Sequence, residues 1–262
     1  TMPTFSEMLT LINDANPQIL AQAIIKFAQM IGENLFDSWM ELYNLCLSQD
    51  KEYDFTDSGK RSLKNTALFY ILNALSTKIN NPHSLQLVET MALGQYHNAH
   101  NMTDSFAVLQ AVNNLDVEVR EQILQEFYNR WQNNELVMDK WFAAQAQSML
   151  IDIDKLNKLM VDKTFIATNP NKIYALLKSF TQNGLKFHSE TGYAFVTDKI
   201  IAIDKFNPSV ASSLTQEFNS AVYLSENYRK LAKACLNQIV EQSCVSAAVY
   251  EIANKILAGL RV

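Results

Sequence analysis

The apolar residues of this chain recur at intervals of three and four positions, which is the spacing of one face of a helix. One stripe contains Leu20, Ile24, Phe27 and Ile31. Further stripes of the same kind run over 63–75, 228–239 and 245–256. The two-residue alternation of a half-buried strand is missing from these stretches, so the pattern predicts helices.

Asparagine-proline pairs mark predicted helix starts. Asparagine caps a helix by accepting a hydrogen bond from a free backbone N–H group, and proline is preformed for the first helical position. The four pairs are Asn16-Pro17, Asn81-Pro82, Asn169-Pro170 and Asn207-Pro208. The least helical stretch, 181–192, is predicted to be a loop, with Gly184 closing one helix and Ser189 or Thr191 capping the next.

Short polar connectors between successive helices make neighbouring helices antiparallel. A long run of such pairs most simply stacks into an α-solenoid, a superhelical layer of the HEAT or armadillo type. We therefore predict an all-α fold and one helical domain over residues 1–262, although the helix starts follow no regular repeat.

The charge and composition of the chain argue against some classes of binding partner. The chain of 262 residues has 22 Lys and Arg against 27 Asp and Glu, a net charge of -5, and no concentrated basic run. Nucleic acids and anionic membrane surfaces are therefore not predicted partners. Three scattered cysteines favour a reducing compartment, so we expect a cytoplasmic protein.

Candidate catalytic chemistry is sparse. His97 and His100 share a helical spacing, and Asp104 follows, but the His-Glu-x-x-His pattern of zinc peptidases does not occur in the sequence. Cys46 and Cys235 lie among apolar residues and are expected to be buried rather than nucleophilic. Trp141 and Phe142 are expected to pack in the core. The residues alone therefore predict no catalytic site and no bound metal.

Several segments, in collinear order, are similar to the C-terminal helical domain of bacterial aminopeptidase N. The longest is Glu135-Leu-Val-Met-Asp-Lys-Trp-Phe142, followed closely by Gln145-Ala146. The others are Arg61-Ser-Leu-Lys-Asn65, His97 with Asn101-Met-Thr-Asp104, Asn169-Pro-Asn171, Gly192-Tyr193-x-Phe195, Asp204, Asn207-Pro208 and Val210-Ala211-Ser212. The resemblance runs from about Leu35 to the C-terminus.

This resemblance implies the last domain of a zinc-dependent exopeptidase that removes N-terminal residues from peptides. In that family a separate catalytic domain holds the zinc, while the helical domain closes over the active site, restricts access and lines the substrate cavity. The chain itself would then have no catalytic residues and no cofactor. Its partners would be the catalytic domain of the parent chain and peptide substrates.

The family commonly has arginines after its Asn-Pro-Asn and Val-Ala-Ser segments, on helices that face the cavity. The corresponding residues of this chain are Lys172, Tyr174 and Ser213. Lys172 keeps a positive charge without the planar fork of arginine, and the other two are neutral. The resemblance thus implies that these three residues line the substrate cavity, with an altered preference for the C-terminal side of the peptide.

Two other functions remain open at this point. A free-standing helical scaffold could bind another protein through a concave face. A degenerate relative of the peptidase, retained without catalysis, would have the same sequence features.

Overall fold

The computed structural model describes residues 2–47 and 57–260. Its α-helices are α1 (Phe5–Leu9), α2 (Pro17–Asn34), α3 (Phe36–Leu45), α4 (Asp57–Ser76), α5 (Pro82–Asn98), α6 (Met102–Val112), α7 (Glu118–Trp131), α8 (Glu135–Ala146), α9 (Ile153–Met160), α10 (Pro170–Ile173), α11 (Ser179–Thr181), α12 (Glu190–Asp204), α13 (Pro208–Gln216), α14 (Glu226–Val240) and α15 (Ala247–Gly259). A π-helical turn (Tyr174–Lys178) joins α10 to α11, and a 3₁₀ helix (Glu217–Tyr223) follows α13.

The predicted all-α fold class is confirmed. Within the described ranges the extended pairing is limited to one isolated bridge, between Ala15 and Leu224. In the same part of the chain, no helix combines the length and the hydropathy needed to cross a lipid bilayer.

The four predicted helix starts are confirmed. The side-chain oxygens of Asn81, Asn169 and Asn207 accept hydrogen bonds from backbone N–H groups in the first turns of α5, α10 and α13. Asn16 does the same for Gln18, at 3.0 Å, at the start of α2. Each pair therefore satisfies N–H groups that a helix leaves without partners at its N-terminus.

The predicted loop is confirmed in part. Ser189 caps α12 by accepting a hydrogen bond of 3.0 Å from the backbone of Gly192. The role predicted for Gly184 is wrong, because the preceding helix already ends at Thr181 and no described glycine has a positive φ. Gly184 instead leaves room for the ring of Phe5, which would lie 2.4 Å from an added Cβ atom.

The helices belong to two compact units. The middle unit covers 25–131, and α4 lies at its centre, packed against α3, α5 and α6. Helix α7 completes this unit by packing on α5 and α6.

The second unit is discontinuous in sequence and combines 1–24 with 132–262. Its N-terminal segment is fixed by two backbone hydrogen bonds, from Ala15 N–H to Tyr223 O at 2.9 Å and from Ser225 N–H to Ala15 O at 2.8 Å. Helices α12 to α15 pack against one another, and α8 packs against the segment from α10 to α11. Trp141 and Phe142 of α8 are buried, as predicted.

Two helical glycines of the middle unit give a matched test of helix packing. A Cβ atom on Gly32 would lie 2.2 Å from the backbone oxygen of Tyr70, whereas one on Gly94 would meet nothing within 4 Å. We expect Gly32→Ala to lower the free energy of unfolding by about 1–3 kcal/mol, because the backbones of α2 and α4 would have to separate. Gly94→Ala should raise it by up to about 1 kcal/mol through helix propensity.

Urea denaturation followed by circular dichroism measures both changes. An increase in stability for both variants would contradict the close approach of α2 and α4.

Candidate functional site

Two of the three residues assigned to the cavity by the resemblance, Tyr174 and Ser213, are brought together through a lysine. The Nζ atom of Lys178 donates a hydrogen bond of 3.2 Å to Ser213 Oγ and lies 5.7 Å from the ring centroid of Tyr174. It also lies 3.4 Å from a carboxylate oxygen of Glu217. We call these four residues the Lys178 cluster.

The local backbone explains how the cluster forms. Tyr174 and Lys178 begin and end the π-helical turn, and Ser213 lies on α13, with Glu217 at the start of the 3₁₀ helix after it. Single π-helical turns within α-helices are rare and occur frequently at functional sites. The cluster therefore joins two irregular helical segments of the discontinuous unit.

Lys172, the third residue, lies in a different environment. Its side chain is only 1% exposed, and its Nζ atom donates to Asp139 Oδ1 at 2.7 Å and to the backbone oxygen of Glu135 at 2.8 Å. An ammonium group removed from water needs such a counter-charge. The bonds join α10 to α8, whose sequence is the longest segment of the family resemblance.

Lys172 also borders a pocket of about 360 Å³ in the discontinuous unit. Its lining is mostly polar and consists of Gln132, Asn133, Glu135, Met138, Lys163, Thr164, Ile166 and Lys172. Lys163 donates a hydrogen bond of 2.6 Å to Gln132 across this lining. The pocket is large enough for a small polar ligand.

Lys178 is the residue that the sequence interpretation missed. It follows Tyr174 by four positions, so the two side chains are neighbours on one helical face. That spacing was a usable signal. The hydrogen bond to Ser213 could not be predicted from the sequence, because it joins residues that are 35 positions apart in the chain.

Two of the three residues with metal-like spacing, His97 and Asp104, contact other side chains. His97 Nε2 lies 2.9 Å from Glu126 Oε2, and Asp104 is buried with its oxygens bonded to Lys64 at 2.7 Å and Asn65 at 2.9 Å. Among the described residues, no three His, Cys, Asp or Glu side chains are grouped to bind a metal.

Asp104 instead connects three helices of the middle unit. Its side chain binds Lys64 and Asn65 of α4. Its backbone N–H donates a hydrogen bond of 2.8 Å to the side-chain oxygen of Asn101. Gln95 of α5 donates to the side-chain oxygen of Asn65 at 2.7 Å. Two of the family-like segments, 61–65 and 101–104, thus meet in one buried polar network whose evident role is structural.

The two cysteines that were predicted to be buried differ in exposure. Cys46 is buried, as predicted, whereas Cys235 is only half-buried, so the prediction of burial is confirmed for Cys46 alone. Burial raises the pKa of the Cys235 thiol, which reduces the fraction of reactive thiolate at neutral pH.

His188 is a buried titratable residue of the discontinuous unit. Its Nδ1 atom lies 2.8 Å from the hydroxyl of Tyr193, and aromatic rings of Phe5 and Phe187 surround it. Burial lowers the pKa of His188 to about 3 and raises the pKa of Tyr193. The imidazole is therefore neutral at physiological pH.

Comparison with known proteins decides the family. A family model described as a domain of unknown function (DUF3458_C) with ARM repeats matches residues 1–258. The chain belongs to this family. The match reaches the first residue, whereas the segments that resemble aminopeptidase N begin at about Leu35.

Named relatives of this ARM-repeat chain are bacterial aminopeptidases. It is 28% identical to aminopeptidase N of Escherichia coli (strain K12) and 30% identical to aminopeptidase N of Haemophilus influenzae, each over 98% of this chain. A crystal structure of Legionella pneumophila aminopeptidase A in complex with aspartic acid matches with a TM-score of 0.84 and 27% identity over 98% of this chain. The resemblance to aminopeptidase N is confirmed.

The chain spans only a part of these relatives. It covers 29% of the length of both aminopeptidase N sequences, in their C-terminal part, and 31% of the Legionella chain. The chain therefore corresponds in sequence to the C-terminal part of these longer relatives.

The buried Lys172–Asp139 pair predicts an asymmetric response to mutation. Asp139→Ala should lower the free energy of unfolding by about 3–5 kcal/mol, because it leaves a buried ammonium group without its counter-charge. Lys172→Met should lower the free energy of unfolding by a smaller amount, because the Asp139 carboxylate that remains is 21% exposed and can be hydrated. Urea midpoints of both variants measure the difference, and an equal or reversed order would contradict the burial of the lysine.

His188 predicts a pH-dependent stability. In the unfolded chain its imidazole takes up a proton near pH 6.5, while the folded chain resists protonation down to about pH 3. The unfolded state thus binds more protons below pH 6.5, and stability should fall by up to about 1.4 kcal/mol per pH unit from this residue as the pH drops.

The His188→Gln variant should lose that part of the slope, measured by urea denaturation between pH 7 and pH 4.5. His83→Gln, which alters an exposed histidine of α5, is the control. An unchanged slope in His188→Gln would show that His188 is not the residue responsible.

Proposed function

We propose that this chain is the C-terminal domain of a zinc-dependent aminopeptidase that removes N-terminal residues from peptides. In this proposal the domain closes over the active site, restricts access to it and lines the substrate cavity. The catalytic residues and the zinc belong to the remainder of the parent chain.

One observation carries the proposal. Nearly the whole chain, 98%, matches proteins named aminopeptidase N, while covering only 29% of their length. A free-standing scaffold would not be expected to align from end to end with one domain of a peptidase.

The contacts of this chain's residues support a zinc site that lies outside it. The side chains best spaced for zinc are used elsewhere, since His97 pairs with Glu126 and Asp104 pairs with Lys64. We therefore assign no catalytic step to this chain. The zinc of the proposed parent would polarise the scissile carbonyl and activate water in the catalytic domain.

For the substrate cavity we propose Lys172, Tyr174 and Ser213 as lining residues. The convergence of Tyr174 and Ser213 on Lys178 supports the proposal for those two residues. Lys172 borders the 360 Å³ pocket, which supports a position beside a ligand, although its charge is neutralised by Asp139.

We also propose a cytoplasmic location. The three cysteines are free thiols, which supports a reducing compartment.

The test uses the full-length polypeptide that contains this chain. It should release N-terminal amino acids from short peptides, lose this activity on treatment with a zinc chelator and regain it when zinc is added. A shortened polypeptide from which this 262-residue segment has been deleted should hydrolyse long peptides more readily relative to short ones, because the restriction on access is removed. Hydrolysis rates for peptides of increasing length measure this selectivity.

Two results would contradict the proposal. One is zinc-dependent aminopeptidase activity of the isolated 262-residue chain. The other is an upstream reading frame with a stop codon in place of a peptidase domain, which would favour an independent scaffold.

A further inference from the structure

The discontinuous unit contains a second pocket, at the C-terminal ends of α12 and α14, with a volume of about 250 Å³. Its walls are mainly aliphatic. Ile200, Ile239 and Val249 are buried in them, and Ile201 and Val245 are half-buried beside these three. A small apolar group that leaves water for such a lining gains free energy, so the pocket favours a ligand with a hydrocarbon part.

The Asp204 carboxylate holds the walls of this pocket together. One of its oxygens accepts a hydrogen bond of 2.7 Å from the backbone N–H of Ser246, and the other accepts one of 2.5 Å from the Ser246 hydroxyl. These bonds tie the connector between α14 and α15 to the end of α12. Ser246 Oγ also caps α15, because it accepts a hydrogen bond of 3.3 Å from the backbone of Val249. The pocket is thus pre-formed, and a ligand does not have to order the connector when it binds.

A lysine without an ion-pair partner borders the same pocket. Lys205 is exposed, and it is the one positively charged residue among the described residues of the lining. The ion pairs formed within the described ranges do not include it. The neighbouring carboxylate, Asp204, is already engaged by Ser246. A ligand with an apolar body and a negatively charged head therefore matches both parts of the lining.

The volume limits the size of the apolar body. A cavity of about 150 Å³ holds one benzene ring, so this pocket has room for a group of about eight carbon atoms. We propose that the pocket binds a small amphiphilic anion of the medium-chain carboxylate class, with its hydrocarbon chain among Ile200, Ile239 and Val249 and its head beside Lys205. This site goes beyond the proposed function and does not depend on it, because none of the residues proposed for the substrate cavity lines the pocket.

The exposed thiol of Cys244 lies in the lining and can report whether the pocket is occupied. A ligand in the pocket should cover this thiol and slow its alkylation by N-ethylmaleimide, in which the sulfur adds across the maleimide double bond. The experiment uses the full-length polypeptide and follows labelling of Cys244 by mass spectrometry of its peptide, at increasing concentrations of octanoate. We expect saturable protection of Cys244 and an unchanged labelling rate at Cys235, which lies outside the lining.

Two analogues test the chemistry of the ligand. Hexanoate is two methylene groups shorter, so half-maximal protection should require a concentration about tenfold higher than for octanoate. Octan-1-ol has a chain of the same length without the negative charge. It should require a concentration about twofold to fivefold higher, because the exposed ion pair with Lys205 is lost.

Lys205→Met tests the assignment of the charge. In this variant both compounds should still protect Cys244, but octanoate should protect no better than octan-1-ol, because its head has lost the counter-charge. Lys199→Met is the matched control. Lys199 is a lysine of α12 that lies outside the lining, with its Nζ atom 4.9 Å from the ring centroid of Phe195, so its removal should leave the preference for octanoate unchanged.

Three results would overturn the proposal. If octanoate does not protect Cys244, the pocket does not bind the amphiphile. Equal slowing at Cys244 and Cys235 would show a general effect on the protein instead of occupancy of the pocket. Equal protection by octanoate and octan-1-ol in the wild-type protein would show that Lys205 does not recognise the head. Selective protection of Cys244, with a preference for octanoate that disappears in Lys205→Met and persists in Lys199→Met, supports the site.

Discussion

The need to neutralise one buried ammonium group organises the part of the protein that carries the candidate site. Lys172 is almost completely removed from solvent, and its charge is met by Asp139 and by a backbone oxygen of α8. Because an unpaired buried charge is strongly destabilising, this pair favours the packing of α10 against α8. The π-helical turn that follows α10, which contains Tyr174 and Lys178, also packs against α8.

The middle unit also contains a buried charged residue whose polar partners come from several helices. Asp104 gathers α4, α5 and α6 into one buried network through Lys64, Asn65 and Gln95. Both networks are built from segments that also carry the resemblance to aminopeptidase N. Their contacts show a structural role, so similarity in these segments identifies the fold more directly than it identifies a site.

The sequence predicted the local features of the fold well and the long-range ones poorly. Helix starts at Asn81, Asn169 and Asn207 depend on bonds within one turn, so the pattern alone was sufficient. The burial of Lys172 and the bond between Lys178 and Ser213 depend on how distant segments pack, which periodicity does not encode. The prediction for Gly184 was wrong for the same reason, because a side chain at this position is excluded by the ring of Phe5, which is far away in sequence.

The proposal to be tested is that Lys172, Tyr174 and Ser213 line the substrate cavity of a larger aminopeptidase. The most direct measurement is a crystal structure of the full-length enzyme with a non-hydrolysable peptide analogue. We expect these residues, Tyr174 and Ser213 above all, to lie on the wall of the cavity that holds the analogue. A structure in which Lys172, Tyr174 and Ser213 all lie far from the bound peptide would contradict the proposal.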